Sequence, residues 1–90
     1  MKLSQKKRDK ISEQILLYLF QNFPQQPFTA KIARDIARDE EFVKKLLFEL
    51  KDKGLVTPIR KNSQGVYFSR RIKWRLTNKV YELYKKKLVS

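Results

Sequence analysis

Seven basic side chains stand between residues 60 and 79 of the 90-residue sequence, and no acidic residue separates them. Arginine and lysine at this density bind phosphate oxygens, because their cationic groups donate strong hydrogen bonds to anions. Solvated surfaces usually mix charges of both signs, so the one-sided run favours a polyanionic ligand over an ordinary solvated strand face. The candidate phosphate-binding residues are Arg60, Lys61, Arg70, Arg71, Lys73 and Arg75.

The composition argues against catalysis. Cysteine and histidine are both absent, which removes thiol nucleophiles, disulfides, the usual zinc ligands and the usual general base. The densest carboxylates, Asp39, Glu40 and Glu41, are consecutive, and the acidic first turn of a helix explains them, since the helix dipole favours carboxylates there. We therefore expect a protein that is no enzyme and has neither a metal site nor a cofactor.

The overall charge indicates the class of partner. The chain has 22 basic and 9 acidic residues, a net charge of +13 and an isoelectric point near 10.2. Such an excess in a small protein predicts nucleic acid as the partner, with an anionic membrane surface second. A protein from a hot environment would also be rich in charge, but would not need so one-sided a balance. The sequence contains no membrane span and no signal peptide, so we expect a cytoplasmic protein.

A helix predicted over residues 40–53 is the element on which the rest of the fold depends. Asp39 is its expected N-cap, and Gly54 is its expected left-handed stop. The apolar residues recur at the spacing of one helical face, which must pack against the core. These residues are Phe42, Val43, Leu46, Leu47 and Leu50.

Two further helices are predicted before this one, within a single domain of residues 1–90. The first is nearly all-apolar from Ile11 and must end at Phe23, because proline follows. The basic residues 1–10 form either an N-terminal arm or the first turns of this helix. Residue 28 predicts a very short strand. Thr29 is the expected N-cap of a compact helix that runs through Ala37, in which the small side chains Ala33 and Ala37 allow close helix packing.

A β-hairpin and a last helix follow Gly54. Residues 55–61 and 66–76 predict two strands, and residues 62–65 have turn chemistry. The nitrogen of Pro58 should face away from the partner strand because proline cannot donate a ladder hydrogen bond. The second strand alternates an apolar face of Ile72, Trp74 and Leu76 with a cationic face. Thr77 is the expected cap of the last helix.

Three motifs in this order resemble the winged helix-turn-helix family of MarR-like and archaeal-type transcription regulators. Residues 32–37 (IARDIA) are similar to the family's "L-A-x-x-L" helix, residues 54–56 (GLV) to its junction between helix and wing, and residues 74–79 (WRLTNK) to its "Y-x-L-T-x-K-G" join. The fold class that follows is α+β, mostly helical: helix, short strand, helix, helix, hairpin wing and C-terminal helix. The resemblance implies a transcription regulator that binds double-stranded DNA with helix 40–53 in the major groove and wing 55–76 on phosphates and the minor groove.

The resemblance assigns Lys44 and Lys45 to the helix positions that touch DNA in the family, although exposed charges are also ordinary on such a face. Phe48 lies off the apolar stripe and is either a contact to DNA or part of the core. Tyr67 and Phe68 stack on bases, enter a groove, or pack within the hairpin. Glu40 and Glu41 depart from the family, because many relatives have small polar residues there.

The resemblance also implies a homodimer formed by the first and last helices. Its candidate interface residues are Ile15, Tyr18, Tyr81, Tyr84 and Leu88. A monomer that uses the same faces for its own core is the alternative. Two other functions stay open: a basic module that binds RNA, the ribosome or DNA without sequence preference, and a winged helix used only for protein contacts.

Overall fold

The computed structural model describes residues 4–89, and its elements follow the predicted winged helix-turn-helix order. Phe28 forms an isolated bridge to Lys73, which is the short strand expected between the first two helices. None of the helices in the described range is both long and apolar enough to cross a membrane. The elements are α1 (Gln5–Gln21), α2 (Thr29–Asp35), α3 (Glu40–Asp52), β1 (Val56–Ile59), β2 (Lys73–Leu76) and α4 (Asn78–Val89).

Helix α1 includes the basic N-terminal residues, which is one of the two predicted alternatives, and it ends earlier than expected. Ser4 is the N-cap, and its hydroxyl accepts a hydrogen bond from the backbone nitrogen of Lys7 at 3.3 Å. The basic residues from Lys6 to Lys10 therefore lie in the first turns of the helix. The expected end at Phe23 is wrong by two residues, because Asn22 is already the C-cap and its backbone nitrogen bonds back to Tyr18.

Helix α2 ends two residues before the predicted end at Ala37. Ala37 has a φ of 58°, and the nitrogens of Ala37 and Arg38 donate to the carbonyls of Arg34 and Ala33 at 3.2 and 2.9 Å. This is the Schellman motif, which normally places glycine at the left-handed position. Ala33 is buried as predicted, whereas the expected role of Ala37 in helix packing is wrong, since its side chain is exposed.

Helix α3 begins where predicted and ends at Asp52, one residue before the predicted end, with Lys53 as its C-cap. A carboxylate oxygen of Asp39 accepts from the backbone nitrogen of Phe42 at 3.0 Å, which confirms the N-cap. Gly54 has a φ of 76°, and the nitrogen of Leu55 donates to the carbonyl of Leu50 at 2.9 Å. The second Schellman motif thus turns the chain from α3 directly into β1.

Strands β1 and β2 form the base of the wing, which comprises both strands and residues 60–72 between them. They are antiparallel, with Val56 opposite Leu76 and Pro58 opposite Trp74. The backbone nitrogen of Trp74 points away from β1 and donates to the carbonyl of Pro27. Pro58 and Trp74 therefore form a pair without hydrogen bonds between them, in which Pro58 needs no backbone donor. This agrees with the predicted orientation of Pro58.

Both strands are shorter than predicted. The expected strands 55–61 and 66–76 are confirmed only over Val56–Ile59 and Lys73–Leu76. Beyond them a single bridge joins Lys61 and Tyr67, and the chain turns at Arg70, which has a φ of 58°. The pairing of the two strands is therefore interrupted between Phe68, whose backbone nitrogen donates to the carbonyl of Arg60 at 2.8 Å, and Lys73, which lies opposite Ile59.

The core joins all the helices to the wing. Trp74 and Leu76 are fully buried as predicted, together with Val43 and Leu47 of α3. The side chain of Ile15 also has no exposed surface. Its prediction as a dimer contact is therefore wrong, because α1 uses this position to pack within its own chain.

Thr29 is the first residue of α2 and not its N-cap. Phe28 occupies the cap position without a side-chain hydrogen bond. The hydroxyl of Thr29 is buried, accepts from the indole nitrogen of Trp74 at 2.8 Å and donates to the carbonyl of Ile72 at 3.4 Å. The predicted cap therefore serves to hold β2 against the beginning of α2.

Candidate nucleic-acid interface

A concave surface between α3 and the wing, which we call the basic depression, brings together predicted residues from both elements. It encloses about 450 Å³, and Lys44 of α3 faces three arginines of the wing across it. None of its lining residues is acidic. The lining consists of Lys44, Arg60, Tyr67, Phe68, Arg70, Arg71 and Ile72. Four cations around one concavity form a binding surface for anions.

Aromatic rings hold the cations at the base of the wing. The rings of Phe28 and Phe68 pack edge to face with centroids 5.1 Å apart. The guanidinium of Arg71 lies 4.3 Å from the centroid of Phe28, and the ammonium of Lys73 lies 5.1 Å from both rings. These cation–π contacts reduce the freedom of the two side chains while their charged ends stay accessible.

Phe48 connects the depression to the core. Its ring packs edge to face on buried Trp74 at 5.3 Å, and the guanidinium of Arg60 lies 6.0 Å from its centroid. Phe48 is half-buried in this position. The alternative of core packing therefore describes this side chain well, and a contact to DNA stays a prediction for its exposed part.

Acidic residues limit the positive surface on the side of helix α3. A smaller cleft of about 210 Å³ is lined by Glu40, Glu41 and Lys44 of the helix, and by Arg70 and Arg71 of the wing. The carboxylates lie in the first turn of α3, where the helix dipole favours them. Positive charge is therefore concentrated toward the wing, as the distribution of charge in the sequence predicts.

The other predicted residues lie outside the basic depression. Lys45 is exposed on α3, and the ammonium of Lys61 lies 4.5 Å from the ring of Tyr67. Arg75 points toward helix α4, where its guanidinium donates to the side-chain oxygen of Asn78 at 2.8 Å. The structure thus brings Lys44, Arg60, Arg70 and Arg71 together, and it gives Arg75 a role in joining β2 to α4.

A second basic surface lies at the other side of the helix-turn-helix. It encloses about 550 Å³ between the first turns of α1 and the turn that precedes α3. Lys7, Lys10 and Arg38 supply its charge, with Ile11 and Gln14 beneath. Arg38 was not among the predicted residues, because a lone arginine in a turn gives no signal until the fold places it beside α1.

The first and last helices leave an apolar groove exposed, which we call the terminal-helix groove. It encloses about 440 Å³ and is lined by Glu13, Leu17, Leu83, Tyr84, Lys87 and Leu88. Leu83 and Leu88 are 58% and 54% exposed. Leu17 and Leu83 were not predicted as interface residues, although they complete the same face as Leu88.

The predicted interface tyrosines make contacts within the chain. Tyr81 stacks on Phe23 with centroids 3.9 Å apart, and Tyr84 lies 5.7 Å from Phe20. Burial and the nearby carboxylate of Glu13 raise the pKa of Tyr84. The Tyr84 stack joins α4 to α1, the Tyr81 stack joins α4 to the segment that follows α1, and Tyr84 also lines the groove.

Tyr18 is tied to α2. Its hydroxyl donates a hydrogen bond of 2.6 Å to Asp35. Burial and this hydrogen bond raise the pKa of Tyr18 to about 12. The hydrogen bonds from Tyr18 and Lys31 lower the pKa of Asp35. Tyr18 thus joins α1 to α2, the first helix of the helix-turn-helix.

Comparison with solved structures confirms the winged helix fold of MarR-like regulators. The chain is similar to an apo mutant of ZitR from Lactococcus lactis, with 24% identity and a TM-score of 0.71 over 93% of this chain. It is similar to a mutant of MepR from Staphylococcus aureus, with 23% identity and a TM-score of 0.70 over 90% of this chain. It spans 58% of the ZitR chain and 57% of the MepR chain.

A third similar structure has nearly the same length as this chain. It is a candidate DNA-binding protein from Ralstonia eutropha JMP134, with 20% identity and a TM-score of 0.67. The match covers 89% of this chain and 96% of that one. No family model matches the sequence, and no curated protein matches it. The likeness therefore establishes the fold.

Zinc does not fit this chain, although ZitR is described as a zinc-responsive MarR family member. The sequence has no cysteine and no histidine, which are the usual zinc ligands. Within residues 4–89, no group of three or more potential ligand side chains converges. We therefore carry no metal response over to this protein.

Proposed function

We propose that the chain is a DNA-binding transcription regulator that acts as a homodimer, with α3 in the major groove and the wing on phosphates and the minor groove. The observation that carries this proposal is the basic depression. Lys44 and three arginines of the wing, which are up to 27 residues apart in sequence, line one concavity that no acidic residue lines. A backbone with a charge for every 1.7 Å or so of duplex axis is the ligand that matches such a surface.

The distribution of charge favours base contacts by α3 and phosphate contacts by the wing. The acidic first turn of α3 repels phosphates, so the helix is better suited to base edges than to the backbone. Lys45 is exposed there and can donate to guanine, and Glu41 can accept from cytosine. The wing supplies the phosphate contacts that hold the helix in place. Sequence preference should therefore depend on α3, and affinity on the wing.

Dimerisation is proposed through the terminal-helix groove. Leu17, Leu83 and Leu88 form an apolar face that stays exposed to solvent within the described residues. A twofold-related copy would bury the same face on both subunits and place two α3 helices on one side of a duplex. Leu83→Glu should give a monomer in sedimentation, whereas Tyr67→Ser, an exposed apolar position elsewhere, should leave a dimer. A wild-type chain that is monomeric at high concentration would contradict this part.

A binding selection tests the proposed function as a whole. The purified chain is mixed with random duplex DNA in the presence of double-stranded RNA as competitor. Recovery of a palindromic motif supports a dimeric regulator, because a twofold protein reads a twofold site. Equal binding to all duplexes would instead indicate an architectural role, and preference for RNA would indicate the alternative of an RNA-binding module.

A further inference from the structure

The tip of the wing exposes two adjacent apolar side chains. Val66 is 59% exposed and Tyr67 is 68% exposed. Phe68, the next residue, is half-buried against Phe28 and belongs to the packing of the wing. The sequence left open whether Tyr67 and Phe68 contact nucleic acid or pack within the hairpin. Phe68 packs within the hairpin, whereas Tyr67 is exposed to solvent and free to contact a ligand.

The loop that carries Val66 and Tyr67 is held by hydrogen bonds. The side-chain oxygen of Asn62 accepts from the nitrogens of Gln64 and Val66 at 2.9 and 3.0 Å. The backbone nitrogen of Asn62 donates to the carbonyl of Val66 at 2.8 Å, and Gly65 supplies a φ of 82° for the turn. Val66 and Tyr67 are thus projected from an ordered turn, and ordering them on a ligand costs little entropy.

Cations surround the exposed ring of Tyr67. Tyr67 lines the basic depression together with Arg60 and Arg70, and the ammonium of Lys61 lies 4.5 Å from its ring. A ligand that satisfies this surface must offer an apolar, stackable face with negative charge on either side. A base-pair step in the minor groove, bordered by two phosphate backbones, has this arrangement.

We propose that Val66 and Tyr67 form a wedge that enters the minor groove, partly unstacks one base-pair step and kinks the duplex. This inference rests on the proposed function and specifies how the wing selects its site. Pyrimidine–purine steps such as TA are the easiest to unstack, and A-tracts are stiff. The wing therefore selects a flexible step by its cost of deformation, without a hydrogen bond to a base.

The test uses the full chain and duplexes that differ only at the step under the wing, TA in one and AA in the other. Affinity is measured by titration, bending by energy transfer between end labels, and unstacking by 2-aminopurine fluorescence at the step. Wild-type protein should bend the TA duplex and bind it more tightly. Tyr67→Ala should lose the bend and bind the TA duplex about 5- to 100-fold more weakly, the range expected for one stacked aromatic ring.

Two variants serve as controls. Tyr67→Phe keeps the ring and should retain the bend and the preference for TA. Gln64→Ala lies in the same loop, bonds only through its backbone, and should behave as wild type. The wedge is overturned if Tyr67→Ala binds with unchanged affinity, bend and step preference, which would leave the proposed function intact. Wild-type binding to single strands but to no duplex would overturn both proposals.

Discussion

The indole nitrogen of Trp74 donates a buried hydrogen bond of 2.8 Å to the hydroxyl of Thr29, 45 residues earlier in the chain. Thr29 begins α2, and Trp74 is the second residue of β2. The bond therefore links the first helix of the helix-turn-helix to the strand that leads out of the wing. Among the described residues no buried side-chain nitrogen or oxygen lacks a hydrogen-bond partner, and this bond supplies the partner of the indole nitrogen of Trp74.

Replacing Thr29 tests this link. Thr29→Val keeps the shape but leaves the indole nitrogen of Trp74 unpaired in the core, and should lower the free energy of unfolding by about 1 to 3 kcal/mol. Thr29→Ser retains the hydroxyl and should lose less. Urea unfolding followed by Trp74 fluorescence measures both variants. No loss in Thr29→Val, together with a loss in Thr29→Ser, would show that the methyl group, not the hydrogen bond, is what matters.

The two Schellman motifs predict opposite effects of glycine and alanine. Ala37 and Gly54 occupy the same left-handed position after α2 and α3, with φ of 58° and 76°. Ala37→Gly should raise the free energy of unfolding by about 0.5 to 1 kcal/mol, since it relieves left-handed strain that exceeds the added chain entropy. Gly54→Ala should lower it by about 1 kcal/mol, because a Cβ there meets no atom within 4 Å and only the backbone is strained. Thermal unfolding measures both changes.

Tyr18 should make stability depend on alkaline pH. Its phenol has a pKa of about 12 in the folded chain, above the ordinary value of 10.0. The contribution of the protonated phenol is therefore complete below pH 10 and is lost as the pH rises from 10 toward 12. Wild type should lose more stability over this window than Tyr18→Phe does. The sequence has four tyrosines, so the difference between the alkaline absorbance titrations of wild type and Tyr18→Phe measures this phenol, and Asp35→Asn should return its pKa toward 10.0.

The division of work between helix and wing predicts two classes of binding variant. Arg71→Ala combined with Lys73→Ala removes charge from the wing and should weaken binding to all duplexes alike, with a less steep salt dependence. Lys45→Ala should instead change the preferred sequence. Lys86→Ala, on exposed α4, is the matched control for loss of one charge, and Lys85→Ala combined with Lys86→Ala is the control for loss of two. The reverse pattern would show that the roles of helix and wing are exchanged.

The features that the sequence predicts correctly depend on neighbours in the chain. Asp39 caps α3 by accepting from the nitrogen of Phe42, three residues along the chain. Gly54 ends the same helix through its own backbone conformation. Buried and more exposed side chains alternate along β2, as the two-residue period of a strand requires. This period alone predicts that Trp74 and Leu76 face the core. Such local signals, taken in order, were sufficient for the winged helix fold.

The features that the sequence could not predict depend on residues brought together by the fold. Ala37 adopts a conformation that alanine disfavours, because α3 must start at a fixed angle to α2. Ile15 was predicted at an interface, since an apolar helix does not show which of its faces its own chain covers. Lys44 and Arg71 line one depression only because Gly54 and Arg70 turn the chain as they do.

The salt dependence of binding to duplex DNA tests the central claim most directly. Lys44, the arginines of the basic depression and the neighbouring Lys61 and Lys73 supply six cations for phosphates. Neutralising roughly six phosphates should give a slope of about −5 for log K against log salt concentration. A slope near −5, reduced by about one for each of these cations changed to alanine, is the predicted result. A slope near zero would contradict the assignment of this surface to DNA.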